Sequence, residues 1–166
     1  MKTNACRLLD ALAVRYETRE YTVDPDDLSG ETVAKKIGLP PEQVFKTLLC
    51  RVDHERIVFA VLSVADELDF KKLAGAVGGR RAELVSIKEV QPLTGYIRGG
   101  VTVFGSKKTF PVFAEETIQL FDMISVSAGV RGLQILLSPT NYIRAAEAQL
   151  VDLVRVSSMP YGGLPQ

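Results

Sequence analysis

Two apolar runs, Val44 to Val52 and Ile57 to Val64, flank the polar trio Asp53-His54-Glu55. Both are rich in Val, Leu, Phe and Ile and too short for a core helix, so they read as a β-hairpin. This is the strongest strand signal in the chain. It commits the fold to a sheet and demands elements that cover the sheet's apolar faces. Further strands are predicted over Tyr16–Val23, Val101–Phe104, Pro111–Phe113, Met123–Val126, Leu133–Leu137 and Val151–Val156, with a short extended piece at Leu84-Val85.

Helices are marked by their ends. Thr3 or Asn4 can cap a first helix carrying Ala5, Leu8, Leu9 and Leu12 at helical spacing. The polar loop Asp24-Pro25-Asp26-Asp27 precedes a helix from Ser29 through Ile37, stopped by Gly38 and Pro40. The acidic stretch Asp66 to Asp69 can cap a helix over Phe70–Val77 that ends at Gly78-Gly79. Ser86 and Glu89 have capping-box spacing, which predicts a helical turn from Ile87 to Gln91. Ser138-Pro139 places a cap before an N1 proline, so a helix is expected over 139–147. Neither a repeat nor a linker is visible. The expectation is one mixed α/β domain over 1–156, with a frayed tail over 157–166 that holds two prolines and two glycines.

Composition excludes several classes of function. The chain of 166 residues balances 20 Lys+Arg against 20 Asp+Glu, which argues against a protein that coats nucleic acid by charge. Its one histidine, His54, sits in the polar turn and reads as solvated; a Ser-His-Asp relay is therefore not expected. Cys6 and Cys50 make neither a CxxC pair nor a disulfide framework, and with one histidine they cannot fill a zinc site without using nearly every available ligand. Neither a metal nor a cofactor is expected. Two free thiols suit a reducing cytoplasm, and no apolar run is long enough to span a membrane or resemble a signal peptide.

Three features could carry chemistry. Lys46 interrupts the apolar strand Val44-Phe45-Lys46-Thr47-Leu48-Leu49, and alternation places it on one face with Val44 and Leu48. An ammonium is costly to bury unpaired, so its head either reaches a cleft, where it could meet a phosphate or an oxyanion, or lies in water along an edge strand. The segment Gly95-Tyr96-Ile97-Arg98-Gly99-Gly100 could bring main-chain N–H groups close to a ligand, or could simply be a tight turn after a helix. The segment Ser127-Ala128-Gly129-Val130-Arg131-Gly132-Leu133 could frame a small pocket or serve only as a hairpin connection. Two nucleotide motifs fail. The glycine order is not G-x-G-x-x-G, and in Gly100–Lys107 Ser106 displaces the lysine of a P-loop by one place. The basic pairs Lys35-Lys36, Lys71-Lys72, Arg80-Arg81 and Lys107-Lys108 are scattered, and only convergence in space would let them grip phosphates.

The three features occur together and in order, and in this the chain resembles the YbaK family of aminoacyl-tRNA deacylases, which shares its fold with the editing domain inserted in bacterial prolyl-tRNA synthetases. The residues that carry the resemblance are Val44 to Leu48, Thr94 to Gly100, Ser127 to Gln134 and Ser138-Pro139. Within the family the nearest likeness is to stand-alone Cys-tRNA(Pro) deacylases. The resemblance implies an α+β fold with a curved, mostly antiparallel, barrel-like sheet flanked by helices. It implies cleavage of a misacylated ester at the acceptor end of tRNA, and a transient complex with prolyl-tRNA synthetase.

The family's essential lysine carries onto Lys46. Its substrate-binding glycine loop carries onto Gly95, Tyr96, Gly99, Gly100 and the following Thr102, and its pocket turn onto Ser127, Gly129, Gly132 and Gln134. An early tyrosine of some relatives corresponds to Tyr21. Two departures stand out. Thr102-Val103 replaces a Ser-Pro found in many relatives, and Gln134 and Leu136 occupy a strand where relatives often place an acid.

An aminoacyl ester is already an activated acyl group, so positioning and charge stabilisation can suffice without a protein nucleophile. The expected substrate is Cys-tRNA(Pro), also Cys-tRNA(Cys), cleaved by attack of the substrate's own thiol or of water. Ala-tRNA(Pro) or another small misacylated tRNA is the alternative within this chemistry. A non-catalytic binding module is the alternative outside it.

Overall fold

The computed structural model describes residues 2–156, and the tail expected over 157–166 lies outside the described residues. Five α-helices, α1 (Asn4–Ala11), α2 (Gly30–Ile37), α3 (Phe70–Val77), α4 (Ile87–Thr94) and α5 (Pro139–Ala146), accompany eight strands. The strands are β1 (Glu17–Glu20), β2 (Phe45–Val52), β3 (Arg56–Ser63), β4 (Ala82–Leu84), β5 (Val112–Glu115), β6 (Ile124–Ser127), β7 (Leu133–Leu137) and β8 (Gln149–Val151).

The β2–β3 hairpin forms as the sequence requires, in antiparallel register from Phe45↔Ser63 to Val52↔Arg56. Its turn holds Asp53 and His54 in left-handed conformations, and Asp53 accepts from the N–H groups of Arg80 and Arg81. The exposed His54 belongs to this turn. The hairpin is the centre of a five-stranded sheet of order β4-β2-β3-β5-β8, while β1-β7-β6 forms a second sheet. Pairing is mostly antiparallel, the β3–β5 and β5–β8 pairs being parallel.

The sheets do not close into a barrel. They meet at an isolated parallel bridge between Val44 and Ser125 and part beyond it. Alternation along β2 serves two cores. Phe45 and Leu49 face a large cluster with Phe59, Phe104, Ile135 and Tyr142, whereas Cys50 and Val52 face a smaller one with Leu62, Leu73 and Leu153.

Helix ends follow local chemistry. Thr3, Ser29, Asp69 and Ser138 each accept a hydrogen bond from a first-turn amide. Ser86 occupies the cap position of α4, but its hydroxyl donates to Glu89 at 2.9 Å instead of accepting from the backbone. The expected end of α4 at Gln91 is also corrected. Pro92 removes one donor, yet the helix continues to Thr94 and stops at Gly95, whose N–H reaches the Gln91 carbonyl.

Three strand expectations change. Val101–Phe104 is loop, because no strand lies alongside to accept its ladder; Phe104 instead fills the core against Tyr142, ring centroids 5.3 Å apart. The first strand shortens from Tyr16–Val23 to Glu17–Glu20, the stretch that pairs with β7. The last begins earlier and ends at Val151, leaving Val154 in an isolated bridge to Leu68.

Candidate active site

A cleft of about 520 Å³ opens where β2 and β6 part, lined by Lys46, Thr47, Arg98, Gly99, Ser127 and Gln134 among others. The helix α2 forms one wall. Its first residue, Gly30, packs so closely on Val64 that an added Cβ would lie 2.2 Å from a Val64 methyl. The opposite wall is apolar, with Val85, Val90 and Val101, and the rim carries the exposed side chains of Leu84 and Ile87.

Lys46 is half-buried, and its Nζ donates to the main-chain carbonyl of Asp66 at 2.7 Å. The anchoring carbonyl uses one of three ammonium protons and leaves the others for a ligand. Burial pushes the Lys46 pKa below the ordinary lysine value, and the nearby carboxylates Asp66, Glu31 and Glu67 act in the opposite direction. The edge-strand reading with a head in water is therefore replaced by an ammonium held at a fixed point. The Asp66 carboxyl is raised by its own burial and by Glu115, with Lys46 opposing.

The two glycine segments pack on each other. Arg131 Nε donates to the Arg98 carbonyl at 2.8 Å. Gly100 lies against the main chain of Val130, 3.1 Å from where its Cβ would be, and Gly129 (φ 98°) lies 2.9 Å from the Tyr96 ring by the same measure. Side chains at these positions would force the loops apart. Gly132 packs against Val23 and the Tyr21 main chain, and Tyr21 N–H donates to the Gly132 carbonyl at 2.9 Å. Ser127 Oγ accepts from Gly129 N–H at 3.1 Å, and Ser125 Oγ donates to Gln134 Oε1 at 2.7 Å.

Four of the sequence-predicted residues thus share the cleft: Lys46, Gly99, Ser127 and Gln134. Tyr21 lines a small neighbouring crevice that it shares with Gly99 and Lys36. The others lie behind the surface. Tyr96 is buried and its hydroxyl donates to the Phe104 carbonyl at 2.6 Å; Thr102 is buried and turned to Phe104 N–H. Gly95, Gly100, Gly129 and Gly132 shape loops without lining the cleft. Sequence reasoning missed Thr47, Arg98, the α2 wall and the Asp66 carbonyl. Only Arg98 had a signal, as a cation between glycines.

The basic pairs do not converge here. Lys36 Nζ holds the Thr22 carbonyl, Lys72 binds Asp152 and the Val154 carbonyl, and Arg80 and Arg81 lend their amides to Asp53. Both cysteines are buried, and burial pushes the Cys50 thiol up to about 12. Among the described residues no cluster of His, Cys, Asp and Glu could hold a metal, and no helix is long and apolar enough to cross a membrane.

A half-buried lysine in a wedge between two sheets, roofed by interlocked glycine loops, defines a class that comparison with known proteins makes specific. Residues 25–145 match the aminoacyl-tRNA editing domain, and the chain belongs to that family. It is 39% identical over 152 residues to EbsC of Enterococcus faecalis, described as a candidate Cys-tRNA(Pro)/Cys-tRNA(Cys) deacylase, covering 92% of this chain and 93% of that one. It is 30% identical over 131 residues to ProXp-y of Escherichia coli K12, a multifunctional Ser/Thr-tRNA deacylase, covering 76% and 78%. Among solved structures, one described as a candidate trans-editing enzyme for prolyl-tRNA synthetase shares the fold at TM-score 0.80 and 22% identity, covering 94% of this chain and 99% of that one.

Proposed function

We propose that this protein is a trans-editing deacylase that cleaves the ester of misacylated tRNA, with Cys-tRNA(Pro) and Cys-tRNA(Cys) as its substrates. The observation that carries this reading is the cleft itself. It presents a fixed cation, Lys46, beside main-chain and amide polar groups, and it contains neither histidine nor cysteine. Such a site suits a substrate that brings its own reactivity. The likeness to EbsC supports the cysteinyl group, and the share of each chain that it covers supports a single editing domain over 1–156.

In the reaction, Lys46 would face a phosphate or the oxygen on which charge develops. With a cysteinyl ester, the substrate sulfur attacks the carbonyl carbon. A C–S bond forms, the ester C–O bond breaks, the thiol proton passes to the departing ribose oxygen, and water later opens the thiolactone. With a seryl or alanyl ester, water attacks, one proton passes to the ribose oxygen, and the free amino acid leaves. The 30% identity to a Ser/Thr-tRNA deacylase favours this second route as the runner-up.

The departures Thr102-Val103 and Leu136, which would favour a non-catalytic module, lie outside the cleft lining, whereas Gln134 lies in it. Action in the cytoplasm and a transient complex with prolyl-tRNA synthetase belong to the same proposal. Comparing Cys-tRNA(Pro) with Ser-tRNA(Pro) tests the route. Rapid cleavage of the first alone indicates thiol attack, and equal cleavage of both indicates water.

A further inference from the structure

The cleft-facing margin of β2 is an open strand edge one residue long. The register shows which residues face it. Val44 C=O accepts from Val64 N–H at 2.8 Å, so residues 44, 46 and 48 direct their main-chain groups toward β3. Leu49 C=O accepts from Val85 N–H, and Asp53 N–H donates to Arg81 C=O, both at 2.9 Å, so the odd-numbered residues face the opposite edge. On that edge β4 covers only Cys50 to Val52, with Val85 reaching Leu49. At the other end Val44 bridges Ser125, after which β6 turns away.

Thr47 lies between these closures. Its N–H and C=O both point into the cleft, and neither has a main-chain partner among the described residues. Its hydroxyl makes no hydrogen bond to either group, and the side chain lies near the buried Tyr142 hydroxyl. The buried side chains of Phe45 and Leu49 fix the backbone on either side.

An open edge normally recruits another strand. Here the gap admits one residue. An aminoacyl ester is one residue. Its α-ammonium and ester carbonyl flank one Cα, spaced as the N–H and C=O of a single strand residue. A residue laid antiparallel opposite Thr47 exchanges two hydrogen bonds with it.

Resting on the deacylase reading, we propose that Thr47 is the aminoacyl-binding residue, its carbonyl accepting the substrate's α-ammonium and its N–H donating to the ester carbonyl. The N–H then remains aimed at the oxygen that becomes negative during attack, and it acts with Lys46 from the neighbouring position. The carbonyl selects a free α-ammonium. An N-acyl group removes the charge and places carbon atoms on the strand edge, where Val85 closes it. The site therefore spares peptidyl-tRNA and N-formylated initiator tRNA, whatever side chain they carry.

The test uses the unsubstituted 15N-labelled protein with 3′-deoxy-3′-(L-cysteinylamino)adenosine, a non-cleavable amide, and with its 3-mercaptopropanoyl counterpart, which lacks only the α-amine. The first compound should bind and slow hydrogen exchange at the Thr47 amide. The second should bind at least about tenfold more weakly, as loss of a charge-assisted hydrogen bond implies. Binding that shifts Ser127 and Gly99 amides but leaves Thr47 exchange unchanged overturns the assignment. So does equal affinity for the two compounds, and so does failure of both to bind. A parallel assay separates this from the underlying reading. Cleavage of Cys-tRNA(Pro) with an unprotected Thr47 sinks the subsite alone, and failure to cleave any misacylated tRNA sinks the deacylase.

Discussion

Replacing Lys46 by alanine removes the one ammonium that, among the described residues, is both half-buried and turned into the cleft. The variant should fold. Burial already disfavours the Lys46 charge, so deleting it relieves a cost while leaving the Asp66 carbonyl without its 2.7 Å partner. These effects oppose each other, and the net change in stability should stay within about 1 kcal/mol. Activity should respond far more. Loss of one preorganised donor at a developing oxyanion costs about 10²–10³ in rate. Lys46→Arg should not restore it, because the planar guanidinium cannot occupy the ammonium's position at the Asp66 carbonyl. The assay is single-turnover release of labelled cysteine from Cys-tRNA(Pro), corrected for spontaneous hydrolysis, with urea unfolding followed by circular dichroism on the same sample. A folded Lys46→Ala protein that cleaves within threefold of the parent rate would refute the role given to this residue.

Four further outcomes follow. Because the folded protein holds the Lys46 pKa below the ordinary lysine value, the ammonium is lost earlier on raising pH than in an unfolded chain; enzymic enhancement over spontaneous hydrolysis should therefore fall along a one-proton alkaline limb, and a flat profile would contradict it. Glu115 is 2% exposed and accepts from Leu153 N–H at 2.8 Å and Thr117 N–H at 3.0 Å, so Glu115→Ala should cost about 2–4 kcal/mol in urea unfolding. Gly129→Ala must place a Cβ at φ 98° and 2.9 Å from the Tyr96 ring, and should cost at least about 1 kcal/mol and weaken substrate binding by parting the two loops. Cys6 and Cys50 are both buried, the latter with its thiol pushed up to about 12, so neither should react with a disulfide reagent until urea unfolds the chain.

The elements legible in the sequence are those defined by local chemistry. The β2–β3 hairpin, the Ser29, Asp69 and Ser138 caps and the glycine stops at Gly38 and Gly78 all depend on neighbours within a few residues. Val101 to Phe104 misled because β-branched and aromatic residues also fill cores from loops. Whether Phe104 joins a strand or plugs against Tyr142 depends on what lies beside it in space. The site divides in the same way. Lys46 stood out as a charge in an apolar strand, whereas Tyr96 and Thr102 lie behind the loop they belong to, since a glycine-rich segment does not announce which side it presents. Thr47 sat in the strand that Lys46 marked but had no signal of its own. Its proposed part comes from the place where β4 stops and β6 diverges, a property of pairing between distant segments.

Editing of misacylated tRNA by a cleft that holds neither histidine nor cysteine is open to measurement in the unsubstituted protein. Incubated with Cys-tRNA(Pro) and with correctly charged Pro-tRNA(Pro), it should release cysteine well above the spontaneous rate and leave the prolyl ester intact. Cleavage of neither ester, extended to seryl, threonyl and alanyl tRNA with the same result, would contradict it.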